Sequence, residues 1–210
     1  MQRLPFVNRL IGCCLLGMLS LVLAPPCQAG FIYTSFPRAE QLALNGRAAL
    51  TTDSVLRVAN NTGPLAAGSA FFTQKVDVAN GFSSEFTFRI HTPSTPFGMA
   101  DGLAFLIQNA PSGTSALGLG GGFLGYTDVA NNLVVEFDIF ETQPNSAHIA
   151  VHSRGTALNS AGDAGLIGSV VPALQLVDQQ VHTARVEYTP STLSVFLDNQ
   201  FVLSRTLNLQ

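Results

Sequence analysis

The feature that most constrains the fold is a rhythm. From Gly30 onward, short runs rich in Val, Ile, Phe and Leu recur about every ten residues, and clusters of Gly, Asn, Pro and Ser separate them. Helix signals are nearly absent. The runs cover residues 31–36, 42–50, 55–59, 69–78, 85–91, 102–108, 133–140, 148–153, 181–188, 193–198 and 201–207. In 85–91 the alternation is clean, with Phe86, Phe88 and Ile90 on one face. Asn45-Gly46 inside the second run predicts a hairpin. Residues 113–125 read as a glycine-rich loop and 156–168 as a small-residue loop. Many short strands with no helices between them predict an all-β chain, an antiparallel β-sandwich or jelly roll forming one domain.

The first 29 residues are set apart. Arg3 and Arg9 form a basic n-region, residues 10–24 an apolar h-region, and Cys27-Gln28-Ala29 ends in a small residue before Gly30. This predicts a secretory signal peptide over 1–29 and a secreted, periplasmic or extracellular mature chain. The h-region is short of the ~20 apolar residues that a spanning helix needs, so no membrane span is expected in the mature chain. Cys13, Cys14 and Cys27 all lie in this leader. The remaining ~180 residues therefore use no disulfide, cysteine nucleophile or thiolate metal ligand, and their stability comes from the core. Setting Arg3 and Arg9 aside leaves eight basic residues against thirteen acidic, with Lys75 the only lysine. That balance lacks the basic patch that nucleic acid requires.

Two acids interrupt the most apolar run. Glu136 and Asp138 in Leu133-Val134-Val135-Glu136-Phe137-Asp138-Ile139-Phe140 are two residues apart, so a strand points both side chains to one face. Burying both as anions costs several kcal/mol each unless a cation or donors compensate them. Three readings compete on this ground: a metal site, a pair of catalytic carboxylates, or a solvated strand face.

Three further segments carry chemistry. Asp101 opens the apolar run Gly102-Leu103-Ala104-Phe105. Residues 117–126, reading LGLGGGFLGY, offer backbone N–H groups that a ligand can approach closely. His148 begins the run His148-Ile149-Ala150-Val151. In this order, together with Leu44-Asn45-Gly46, Leu56-Arg57 and the closing VHTARVEY…LSVFLDN pair, these pieces resemble the L-type, legume-like lectin family over residues 31–209. The long glycine loop is closer to bacterial members.

The resemblance implies a concanavalin-like sandwich that binds a saccharide or glycoconjugate without catalysis. It implies that Asp101 accepts from sugar hydroxyls after a cis Ala100–Asp101 peptide, and that a backbone N–H of Gly121 or Gly122 donates to the sugar. Glu136 and His148 would hold a transition ion such as Mn²⁺, and Asp138 that ion and Ca²⁺ together. Phe140 would stack on the sugar and lend its carbonyl to Ca²⁺. Imidazole suits a transition ion, and hard Ca²⁺ takes oxygens. Plant members pair through a flat back sheet, which makes a homodimer the assembly to test.

The match departs from the family in two places. The segment between Asp138 and His148 is about four residues short. Thr142 and Gln143-Pro144 stand where an asparagine and an Asp-Pro are expected, with Asn145 the substitute after a shift. The family also continues past Gln210 with a further strand and a sugar-selecting loop, so the expectation is a domain incomplete at its C-terminal end. Two alternatives remain. Glu136, Asp138 and Glu141 also fit the E-x-D-x-x-E strand of laminarinase-like glycoside hydrolases, with Glu136 as nucleophile and Glu141 as acid/base. The absence of Trp argues against a glycan-cleaving cleft. The other alternative is a structural extracellular sandwich. The Asn60-Asn61-Thr62 triplet reads as a plain turn.

Overall fold

The computed structural model describes residues 32–60, 65–91, 100–140, 147–173 and 175–209. The leader lies outside them, as do Phe31 and the end of the Asn60-Asn61-Thr62 triplet. In chain order the strands are β1 (Leu42–Gly46), β2 (Ala49–Leu50), β3 (Leu56–Arg57), β4 (Gly68–Phe72), β5 (Phe82–Phe88), β6 (Gly102–Gln108), β7 (Asn132–Asp138), β8 (His148–Ser153), β9 (Leu166–Val170), β10 (His182–Thr189), β11 (Ser191–Leu197) and β12 (Gln200–Leu207). Among the described residues every strand pairing is antiparallel. Two four-stranded sheets, ordered β12-β11-β10-β5 and β6-β7-β8-β9, form the sandwich, and the ribbons β1-β4 and β2-β3 complete it. Among the described residues no helix is long and apolar enough to cross a membrane.

The core forms where the two sheets face each other. From the β7 sheet come Leu133, Val135, Phe137, Ile149 and Val151; from the other come Ala184, Val186, Leu193, Val195 and Leu197. Phe86 and Phe88 of β5 pack against Phe137, as their alternation predicts. Because β7 and β8 sit at the centre of their sheet, loops cover their outer faces as well. Val134 is fully buried on the face opposite Val135. This double burial explains why β7 reads as a continuous apolar run rather than an alternation.

Four local expectations are corrected. Residues 32–36 form no strand; Phe36 N–H donates to Ser54 O and the Tyr33 ring stacks on Phe36. The segment 42–50 is not a hairpin. β1 pairs with β4, and β2 pairs with β3, because the Asn45 side chain donates to Ser69 Oγ and Thr114 O instead of closing a turn. The run 69–78 stops at Phe72. The loop 156–168 ends in a strand, β9, whose Gly168 lies under Arg205 of β12.

Candidate functional site

The site is built on the outer face of β7. There the strand pairing brackets Glu136 with two alanines, Ala104 on β6 and Ala150 on β8. Their small side chains leave room above the carboxylate. His148 and His152 stand two residues either side of Ala150, diagonal to Glu136, a separation that long side chains span. Both use it. His152 Nε2 lies 2.9 Å and His148 Nε2 3.2 Å from Glu136 Oε1. From the loop above, Tyr126 donates its hydroxyl to Oε2 at 2.6 Å. Glu136 is 2% exposed. Burial alone would raise its pKa, but the bonds from His148, His152 and Tyr126 outweigh burial and hold it at about 2. Tyr126 is pushed up, by burial first and then by the Glu136 charge. The second ring nitrogen of His152, Nδ1, is buried without a hydrogen-bond partner.

Asp138 lies on the same face, between Gly102 and His148 in the strand register. Its Oδ1 accepts from the Phe140 N–H at 2.7 Å. Burial raises its pKa; the Phe140 bond and the His148 imidazole oppose that shift without cancelling it. Ligand atoms of Glu136, Asp138 and His148 all lie within 4.8 Å of one another. Two carboxylates and an imidazole are a donor set that fits a transition ion. Among the described residues the cluster does not supply the six to eight oxygens that Ca²⁺ takes.

Asp101 approaches from the start of β6. The Ala100–Asp101 peptide is cis, as the resemblance implies. The Asp101 carbonyl accepts from the Ile139 N–H at 3.0 Å, which ties this residue to the end of β7. Gly102 has φ +150°, a region closed to ordinary side chains, and a Cβ there would strike the Phe137 carbonyl. Burial raises the Asp101 pKa.

The glycine loop closes over this corner. Gly118 N–H donates to Gly125 O and Gly125 N–H to Leu119 O, and a short 3-10 turn, Gly121–Phe123, forms its tip. A side chain at Gly121 would point to within 3.9 Å of Asp101 Oδ2. The N–H groups of Gly121 and Gly122 have no acceptor among the described residues.

The structure thus brings Asp101, Gly121, Gly122, Glu136, Asp138, Phe140 and His148 to one end of β6, β7 and β8. Thr142 and Asn145 lie outside the described residues, as does Glu141. Two residues of the cluster were not legible as partners beforehand. Tyr126 closes the glycine motif, and only the fold of the loop shows that it reaches Glu136. His152 had a sequence signal, since it is four residues after His148 and a strand places both on one face.

A family model described as the legume lectin domain matches residues 28–210. The chain belongs to the legume lectin domain family. Among solved structures, this legume lectin domain is similar to lectin I from Ulex europaeus in complex with the methyl glycoside of α-L-fucose. The TM-score is 0.64 at 21% identity, over 83% of this chain and 80% of that one. Peanut lectin matches with a TM-score of 0.64 at 20% identity, over 84% and 81%. The exoplasmic/lumenal domain of VIP36, in a Ca²⁺- and mannose-bound form, matches with a TM-score of 0.63 at 16% identity, over 79% and 70%. At these identities the likeness concerns the fold, which is the legume lectin sandwich.

Proposed function

We propose that this domain is a secreted, non-catalytic lectin that binds a saccharide at Asp101 and the glycine loop, with a metal ion ordering the site. The observation that carries the reading is the convergence at Gly121. There the backbone of the glycine loop comes up to the acid: a Cβ at Gly121 would lie 3.9 Å from Asp101 Oδ2. Sugar hydroxyls donate and accept, so an anionic acceptor beside backbone donors recognises them in both roles. Phe140 offers an apolar face for a sugar ring. The bound forms of the Ulex europaeus lectin and VIP36 support a saccharide as the ligand.

Glu136, Asp138 and His148 would hold a transition ion, and the ion would supply charge neutralisation and rigidity to the β7 end. Ca²⁺ beside it, shared through Asp138 and Phe140, is the second part of the proposal. The glycine loop supports placing the domain with bacterial-type members. The leader sequence supports secretion. The hydrolase alternative is disfavoured because a nucleophile must face its substrate, whereas Glu136 is buried and its two oxygens take three hydrogen bonds.

Glycan-array binding of the secreted chain tests the reading, with Ca²⁺ and Mn²⁺ and then with EDTA. Binding that EDTA removes, and that Asp101→Asn weakens about tenfold or more, is the expected result. Binding to no glycan under either condition would overturn it. Turnover of a β-glucan that Glu136→Gln abolishes would replace it with the hydrolase.

A further inference from the structure

Two histidines touch the same oxygen of Glu136, and their surroundings differ. His148 Nε2 lies 3.2 Å from Oε1, and its side chain is 26% exposed. His152 Nε2 lies 2.9 Å from Oε1, and its side chain is 2% exposed. His148 pairs with Asp138 in the strand register, and its ligand atom joins those of Glu136 and Asp138 within 4.8 Å. Among the described residues no such group of three includes His152. The two histidines share a face of β8, yet only His148 is placed to share an ion with both acids.

His152 is committed to Glu136 instead. The Tyr126 ring packs against it with centroids 5.8 Å apart, and Tyr126 donates to the other carboxylate oxygen. Behind the imidazole, a Cβ at Gly165 would lie 3.4 Å from Nδ1 and 2.6 Å from both Asn159 Oδ1 and Ser160 O. No side chain fits on that side, and Nδ1 has no hydrogen-bond partner. A buried ring with one partnered nitrogen keeps its proton where the acceptor is, so Nε2–H donates to Oε1 and Nδ1 keeps the lone pair. His182 is the contrast, since both its nitrogens face carboxylates. Glu136 is thereby gripped at both oxygens by two donors, one from the glycine loop and one from β8. Neither belongs to the ion cluster.

We infer that His152 and Tyr126 are positioning residues for the ion-binding carboxylate. They fix the rotamer of Glu136 and the direction of its lone pairs, so the acid is aimed before an ion arrives. His148 is then the one imidazole that changes partner on binding. Outer donors of this kind contribute about ten- to a hundredfold in metal affinity. The inference rests on the ion site proposed above and gives the second histidine of the strand a role outside the coordination sphere.

Mn²⁺ binding to the full secreted chain, first stripped with EDTA and dialysed, tests it. Electron paramagnetic resonance of the free ion gives the affinity, and electron spin echo modulation counts the imidazole nitrogens bound directly to the ion. Wild type should show one. His152→Leu should weaken Mn²⁺ about tenfold or more. His152→Gln, whose amide nitrogen reaches the place of Nε2, should restore most of that loss. Tyr126→Phe should weaken Mn²⁺ while keeping the one-nitrogen signal. A merely structural His152 would lower the melting temperature and move neither readout. Two bound imidazoles in wild type, or wild-type affinity in His152→Leu, would overturn the positioning role and leave the ion site standing. Should His152→Leu not fold, the nitrogen count and Tyr126→Phe decide, and wild-type affinity in Tyr126→Phe would count against the inference. Failure of wild type to bind Mn²⁺ would overturn both the ion site and the inference.

Discussion

The hydroxyl of Tyr126 donates to Oε2 of Glu136 at 2.6 Å, and neither residue has appreciable contact with solvent. This bond joins the glycine loop to the central strand beneath it. Tyr126→Phe keeps the ring but leaves a buried carboxylate oxygen without its donor. The expected cost is about 1.5–3 kcal/mol in urea unfolding, in the range of hydrogen bonds to charged groups. The Glu136 pKa should rise from about 2, since one of the bonds holding it down is gone. Carboxyl-carbon NMR titration reads that shift.

Ala150 lies opposite Glu136 and between the two histidines that reach it. It is fully buried. Ala150→Val would insert two methyl groups into the space the imidazoles cross. Overpacking of this kind costs about 1–3 kcal/mol. Thermal unfolding should report the loss. Mn²⁺ affinity, read by electron paramagnetic resonance of the free ion, should fall as Glu136 and His148 separate.

Gly102 follows Asp101 directly and pairs with Asp138 at the start of the β6–β7 ladder. With φ +150° and the Phe137 carbonyl against its α-carbon, it admits no side chain. Gly102→Ala should destabilise the domain by about 1–3 kcal/mol from backbone strain alone, before the clash is counted. Glycan binding should be lost in whatever fraction folds, because Asp101 would be displaced.

A second histidine cluster sets a pH dependence away from the site. His182 Nδ1 lies 2.8 Å from Asp198 Oδ2, and Nε2 lies 3.0 Å from Asp178 Oδ1. A ring that serves two carboxylates carries protons on both nitrogens. Burial would lower the His182 pKa, but the two aspartates raise it above its usual value. Asp198 is lowered despite burial, by His182 and the Thr183 N–H; Asp178 is lowered first by the Gln180 N–H and then by His182. The histidine's stabilisation is complete below its unfolded pKa of ~6.5 and is lost as pH rises through its folded pKa. The aspartates' stabilisation is present above their unfolded value of ~3.9 and is lost on acidification. The cluster therefore contributes most between about pH 4 and 6.5. The melting-temperature difference between wild type and His182→Gln should be larger at pH 5.5 than at pH 9. An equal difference at both would count against a charged His182.

The all-β class was legible because turn residues punctuate the chain at strand spacing and no apolar run carries a helical period. β6 and β8 were readable to the residue, since each is a short apolar stretch with a polar or glycine start. Residues 32–36 and 42–50 were not. Strand propensity says that a segment can pair, but the edge it meets is decided by the rest of the fold. Asn45-Gly46 has the composition of a hairpin turn, yet the Asn45 side chain finds Ser69 and Thr114, and β1 goes to β4. β9 was hidden because Gly168 and Ser169 interrupt its short aliphatic run, Leu166, Ile167 and Val170, and the ladder to β8 is what makes it a strand.

The sequence by itself determined that Glu136 and Asp138 share a face, because the side-chain period of a strand is two, and that His148 begins a strand. Only the tertiary structure decided what makes their burial tolerable. Strand register set alanines beside Glu136 and histidines diagonal to it, and the folding of the glycine loop brought Tyr126 onto its second oxygen. Periodicity along one strand is a local property of the chain, whereas contacts between loops distant in sequence exist only once the sheets have paired.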